Sequence, residues 1–377
     1  MTRALSLPRM RRLQMSTTLT WYIARQFAIF WGSFFSAIAA IILLVSLVDL
    51  LDRFGGREGV TLGVVFEMSL LKLPHLSLEV MPFTLLFAGL ATFWRLTRTH
   101  ELVVARAAGV SVWQFLLPVL LVAVAMGGIT VTVFNPIAAT LLSRFELVEA
   151  RFSRSGPRSA LAVSRTGLWL RQADQQGQAV IHAARLDPDG ITLQNVIVFR
   201  FDTGDRFLER IDAERAQLGD GQWNLTDAWV SGPERVPGFV EETEIATTLT
   251  PAKIQESFAD PETISFWSLP GFIRLLEESG FSSVRHKLQW NRLLATPLLY
   301  AAMVLLAATF SLRPQRRGKV GIVILSGMLA GFLLYFFSNF VIALGLSSKI
   351  PVVLAGWAPA GASMMLGIAM LLHLEDG

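Results

Sequence analysis

Lys72, His75 and Glu79 stand at i, i+3 and i+7 within a largely apolar run. On a helix that spacing places all three on one face. Ionisable groups at membrane depth face a bundle interior or a water-filled cavity, where they pair or relay protons. Two chemistries are therefore open: the proton relay of an ion-coupled transporter, or an internal Lys–Glu pair that holds helices together. A second stretch, 95–113, reads RLTRTHELVVARAAGVSVW and lies between two long apolar runs. Thr99 can cap a short helix over about 99–109, Glu101 suits its first turn, Gly109 can end it, and Ser111 can cap the next helix. An amphipathic helix on such a loop can dock a soluble partner. The competing reading is a plain basic loop between spans.

Other chemistry is missing. There is no cysteine, so no disulfide framework, thiolate zinc site or thiol nucleophile. The five histidines (75, 100, 182, 286 and 373) show no pair at metal-ligand spacing. No GxxxxGK[ST] loop is present, since Gly318-Lys319 runs into valine; HExxH and GxSxG are also absent. No catalytic residue, metal, cofactor or nucleic-acid partner is expected. Uphill transport would need a partner or an ion gradient.

Hydropathy sets the elements that must hold these residues. The 377-residue chain is 53% hydrophobic and only 16% charged, too apolar for an ordinary soluble domain. Uncharged runs cover 26–48, 80–94, 107–143, 293–312, 320–348 and 350–374. A spanning helix needs about 20 residues, and the short second run extends back through 63–79. We expect six transmembrane helices, three on each side of a polar middle. The first is too long for a signal-peptide core of roughly 7–15 residues and is read as retained. The second, over 62–95, would be about 50 Å long against a hydrocarbon core of ~30 Å, so its outer end must project or tilt. Pro74 and Pro82 should kink it. Gly127-Gly128 permits close helix contact, and Asn135-Pro136 marks the outer end of the third helix.

Short-loop cations orient the bundle. Arg3, Arg9, Arg11, Arg12 and Arg25, then Arg95, Arg98 and Arg106, then Arg313, Arg316, Arg317 and Lys319 fall on one side; the other has Arg53, Arg57 and Lys349. Both termini then face the cytoplasm and the middle lies outside, in the periplasm of a Gram-negative cell. That middle changes to strand periodicity. Strands are expected at 161–163, 167–171, 179–186, 191–201, 207–218, 221–230 and 239–247, as a sandwich, roll or barrel. A connecting helix follows at 269–279, with Pro270 in its first turn. The division is 1–143, an N-terminal transmembrane half; 144–262, the β domain; and 263–377, the connecting helix and C-terminal half.

Several of these residues carry a family resemblance. Lys72-Leu-Pro-His, Met81-Pro82 and Thr99-His-Glu-Leu-Val-Val-Ala-Arg-Ala-Ala-Gly109 resemble the LptF/LptG (YjgP/YjgQ) permeases, in which an E-L-x-x-x-R/Q-A-S/A-G stretch follows helix 2. A second match runs through 264–275, Ser279-Gly280, Arg285-His-Lys-Leu and Arg292-Leu-Leu-Ala-Thr-Pro297-Leu. Val48-Asp49-Leu50-Leu51 looks closer to the LptG branch than to LptF. The resemblance implies a six-helix, 3+3 membrane α-helical fold with an inserted periplasmic antiparallel β-jellyroll. It implies an inner-membrane permease that extracts lipopolysaccharide and passes it to a periplasmic bridge. Its partners would be a homologous half-permease (LptF if this is LptG), two copies of the ATPase LptB, LptC and the LptA bridge. Glu101, Leu102, Val103, Arg106 and Gly109 would then belong to the coupling helix that fits a groove on the ATPase.

The physical requirements agree with that implication. An apolar cavity holds acyl chains at roughly 0.8 kcal/mol per buried methylene, and cations at the outer rim pair with lipid phosphates. Arg53, Arg57, Lys72, Arg144 and Arg151 are expected near that rim, each with a plain interface anchor as the competing reading. Helix 1 carries Val45, Ser46 and Leu47 where some members have a lysine, so Arg53, Arg57 or Lys72 must supply that cation. The alternatives are an ion-coupled secondary transporter built on Lys72, His75 and Glu79, and an envelope scaffold that transports nothing.

Overall fold

The computed structural model describes residues 17–376, apart from 57–58, 108, 153–160, 165–166, 175–176, 187–191, 203–205, 220, 234, 248–259, 279–281 and 313–319. The helices are α1 (Thr17–Phe54), α2 (Leu62–Arg98), α3 (Glu101–Ala107), α4 (Val112–Ile129), α5 (Asn135–Phe152), α6 (Leu269–Glu278), α7 (Val284–Ser311), α8 (Val320–Leu346) and α9 (Val352–Asp376). The strands are β1 (Leu161–Ser164), β2 (Gly167–Asp174), β3 (Gly177–Leu186), β4 (Thr192–Phe201), β5 (Phe207–Leu218), β6 (Gln222–Gly232) and β7 (Arg235–Ala246). Among the described residues six helical segments are long and apolar enough to cross a membrane: α1, α2, α4 continued by α5, α7, α8 and α9. This is a multi-pass membrane protein with a β domain inserted between two sets of three spans.

The third span does not end at Asn135-Pro136, as the sequence suggested. Pro136 cannot donate a backbone hydrogen bond, which in a regular helix interior costs ~3 kcal/mol or more. Here a π-helical turn over Thr130–Phe134 precedes it, and the helix runs on as α5 to Phe152. Wider turns leave groups for other partners. The Thr132 carbonyl accepts from Trp267 Nε1 at 3.1 Å, and Asn135 Oδ1 accepts from the Phe266 N–H at 2.9 Å. Phe266 also stacks on Trp290 at 4.4 Å between ring centroids. The chain returning from the β domain is thus pinned to the middle of the third span.

α7 is the central helix. It packs against α9, α2, α4 and α8, and Tyr300 through Ala308 on it are almost wholly buried. Small residues permit the closest crossings, as expected where no water drives helices together. A Cβ on Gly127 would lie 2.5 Å from Pro297 Cα, whereas Gly128 faces open space. α2, 37 residues and about 55 Å long, projects at its N-terminal end. There Val65 and Met68 pack with Leu50 and Phe54 of α1 and Leu142 and Phe145 of α5.

The seven strands form one antiparallel sheet in the order β1 to β7. One face is apolar: Val198 of β4 sits opposite Ile211 of β5, and Val196 opposite Ala213, all buried. At the end of that same face Arg200 pairs with Glu209 at 2.7 Å, while on the other face Arg210 pairs with Asp212. The sheet curls, because Gln172 of β2 donates to the Ala246 carbonyl at 2.9 Å and accepts from Thr247 at 2.6 Å, both at the end of β7. The apolar face lines the inside of that curl. α6 covers part of it with Phe272 and Leu276. Glu277 ties α6 to α7 through Lys287 and through Ser283 at 2.9 Å. Those two partners hold the Glu277 carboxyl below the usual carboxylate range.

Candidate functional site

The first candidate site is the short turn between α2 and α4. α2 ends at Thr99, whose hydroxyl donates to the Arg95 carbonyl and to Glu101 Oε1 at 2.8 Å. His100 takes a left-handed φ of 59° and reverses the chain. α3 then makes two turns, its N-terminal carbonyl partner being His100 rather than Thr99. Gly109, at φ 84°, closes it in the left-handed conformation that glycine adopts without strain. Ser111 forms a full capping box with Gln114 and restarts the helix as α4. The turn lies at the same end as the C-terminus of α7, since the Thr97 hydroxyl donates to the Ser311 carbonyl at 3.4 Å.

Of the expected coupling residues, Leu102 points inward. It is 5% exposed and belongs to the core formed with Ile23, Phe27, Leu96 and Phe115. It therefore cannot fill a partner's groove, as the sequence reading had it. Val103 and Val104, 57% and 68% exposed, are the outward apolar pair. Glu101 is half-buried and accepts from Tyr22 of α1 at 3.4 Å. Arg106 and Gly109 are exposed. Val104 was missed because a two-turn helix shows its faces but not which of them packs. The 3.6 period groups Leu102 with Ala105, and the core of Ile23, Phe27, Leu96 and Phe115 claims that side, leaving Val103 and Val104 outward.

The second candidate site is the opposite end of the bundle. Arg53 pairs with Asp49 at 3.0 Å on the surface of α1. Lys72 Nζ stands 5.4 Å from the Phe145 ring centroid, a cation–π contact between α2 and α5. Arg144 and Arg151 are exposed on α5. Arg57 lies outside the described residues. α1, α2 and α5 pack together here, and Gly59 approaches Phe152. The four described cations thus rim one end of the bundle, with no single pocket gathering them.

Lys72, His75 and Glu79 share a face but not a chain of contacts. Lys72 turns to Phe145, while His75 Nε2 lies 3.9 Å from Glu79 and 3.1 Å from Glu262. Neither the internal Lys72–Glu79 pair nor a three-residue relay is formed. Glu262 had no signal in the sequence, since its role depends on where the β domain returns the chain. The His75 contact holds its carboxyl below the usual carboxylate range.

The comparisons with known proteins agree with this architecture. The model of a family described as lipopolysaccharide export system permease LptF/LptG matches residues 21–373. The lipopolysaccharide export system permease protein LptG of Escherichia coli is 24% identical over 339 residues, which cover 88% of this chain and 91% of the relative. The protein of the same name from Haemophilus influenzae is 22% identical over 361 residues, covering 92% and 96%. The family match takes in all six spans, the turn that carries α3 and the whole β sheet, and the chain belongs to the LptF/LptG family of lipopolysaccharide export permeases.

Proposed function

We propose that this permease is the LptG-type half of an ATP-driven lipopolysaccharide exporter of the inner membrane. It carries no ATPase motif of its own; a cytoplasmic ATPase dimer of the LptB kind drives it, and a homologous LptF-type half-permease completes the cavity. The observation that carries the reading is the family match over 21–373, laid on a bundle with a curled β sheet inserted between its halves. The proposed coupling element is α3, with Val103, Val104 and Arg106 presented to the ATPase. The proposed phosphate contacts are the rim cations Arg53, Arg57, Lys72, Arg144 and Arg151. Exposed apolar side chains along α1 (Ile41, Leu44, Val45) and α8 (Leu329, Phe332, Phe336) suit acyl chains and the half-permease.

The β roll continues that path toward LptC and the LptA bridge. Its buried Trp223 Nε1 has no hydrogen-bond partner among the described residues. An unmade buried donor costs ~1–3 kcal/mol, which a lipid ester or amide carbonyl would offset by accepting from it.

The reading requires both termini in the cytoplasm and the β domain in the periplasm. A reporter active only in the periplasm should be active when fused after Gly190 and silent when fused at Gly377. The reverse pattern would put α3 on the side without ATP and overturn the proposal.

A further inference from the structure

We propose that His75, Glu79 and Glu262 bind one divalent transition-metal ion of the zinc class, which clasps the chain returning from the β roll to the N-terminal half of α2. One donor atom from each of the three side chains lies within 4.8 Å of the others. His75 Nε2 is 3.1 Å from Glu262 and 3.9 Å from Glu79. Around a tetrahedral zinc ion, with bonds of about 2.0–2.2 Å, neighbouring donors stand about 3.3–3.6 Å apart. The observed separations straddle that spacing, so small rotamer adjustments suffice. An imidazole nitrogen with two carboxylates is a donor set for zinc, manganese or iron rather than for an alkali cation. His75 and Glu79 are four residues apart on α2, the spacing with which a helix offers two ligands to one ion.

The third ligand is held in place. Glu262 sits in a single 3-10 turn, Pro261–Thr263, in which the Thr263 hydroxyl donates to the Asp260 carbonyl at 2.7 Å. A few residues on, Phe266 and Trp267 are fixed to the π-helical turn of the third span. Donors on rigid elements need little ordering when the ion arrives. The carboxylates of Glu79 and Glu262 give the ion a doubly negative site. Asp260 adds to the field at His75, and Arg285 and Arg292 act on Glu262 in the opposite sense. These cations moderate the affinity without entering the donor set. Glu79 is 61% exposed, which leaves an entry path and room for water in the fourth position. The three residues do not depend on the lipid route, so the inference stands apart from the transport reading.

The test uses the full chain, purified in detergent without a polyhistidine tag, stripped with a chelator and titrated with zinc ion. One zinc ion per chain is expected, with a rise in the thermal midpoint. Removing a group that merely orients a metal ligand already costs about 10–100-fold in metal affinity. Glu262→Gln and His75→Ala, which remove ligands themselves, should therefore each weaken binding at least tenfold and abolish the thermal shift. Glu67→Gln, exposed elsewhere on α2, should change neither. If His75→Ala folds poorly, Glu79→Gln serves in its place with the same expectation. Wild-type zinc binding no stronger than that of Glu262→Gln would overturn the proposal, as would a full-strength site in the His75 variant.

Discussion

Replacing Val103 and Val104 with aspartate should leave the permease folded and disconnect it from the ATPase partner proposed above. Both side chains are mostly exposed in the chain, so the double variant removes little internal packing. The thermal midpoint in detergent should stay at the wild-type value. In the complex the two valines would enter an apolar groove, worth about 1.5–3 kcal/mol each, and the new carboxylates would add an unpaired-charge penalty. A combined loss of at least ~3 kcal/mol weakens association by 100-fold or more. ATPase retention on the immobilised permease and stimulated hydrolysis should fall together. The double variant is a sharper probe than one at Glu101, whose carboxylate also accepts from Thr99 and Tyr22 within the chain. Normal ATPase retention by the aspartate variant would reduce α3 to a connector.

The second large effect belongs to the bundle. Gly127→Leu should strongly destabilise the protein, because even a Cβ there meets the backbone of Pro297 at 2.5 Å. Neither Cα can retreat without parting α4 from α7, the central helix. Overpacking a well-packed interior costs ~1–3 kcal/mol, occasionally more, and a leucine against backbone belongs at the upper end. The neighbour is the control: a Cβ on Gly128 would meet nothing within 4 Å, so Gly128→Leu should insert and melt as the wild type does. Equal thermal midpoints for the two variants would mean that the α4–α7 crossing is looser than described.

Where a segment's own periodicity decides its structure, the sequence was a good guide. All seven strands lie within a few residues of the expected runs, because each has one apolar face and turn residues at its ends. The connecting helix at Leu269–Glu278 and the glycine-terminated α3 were legible for the same reason. The failures share a different cause. Asn135-Pro136 reads locally as a stop, but a π-helical turn and partners from Phe266 and Trp267 carry the helix through. Leu102 reads as one of two adjacent apolar residues free to dock, but packing with Ile23, Phe27, Leu96 and Phe115 draws its side of the helix into the core. Glu262 carries no local pattern, and only the folded chain brings it to His75. Lys72 and Glu79 share a helix face as expected, yet Phe145 from another span captures the lysine. Periodicity specifies elements; partners across elements need the packing.

The central claim is that lipopolysaccharide passes through this chain under power from a partner's ATP hydrolysis. A photo-crosslinking residue at Val198, buried on the apolar face of the β roll, tests it most directly. The full complex, reconstituted in vesicles that contain lipopolysaccharide, should give a crosslinked lipid adduct at this position when ATP is supplied. No adduct should form with a non-hydrolysable analogue, or when Val103 and Val104 are aspartate. Equal capture with and without hydrolysis, or no capture under any condition, would contradict a transport route through the roll.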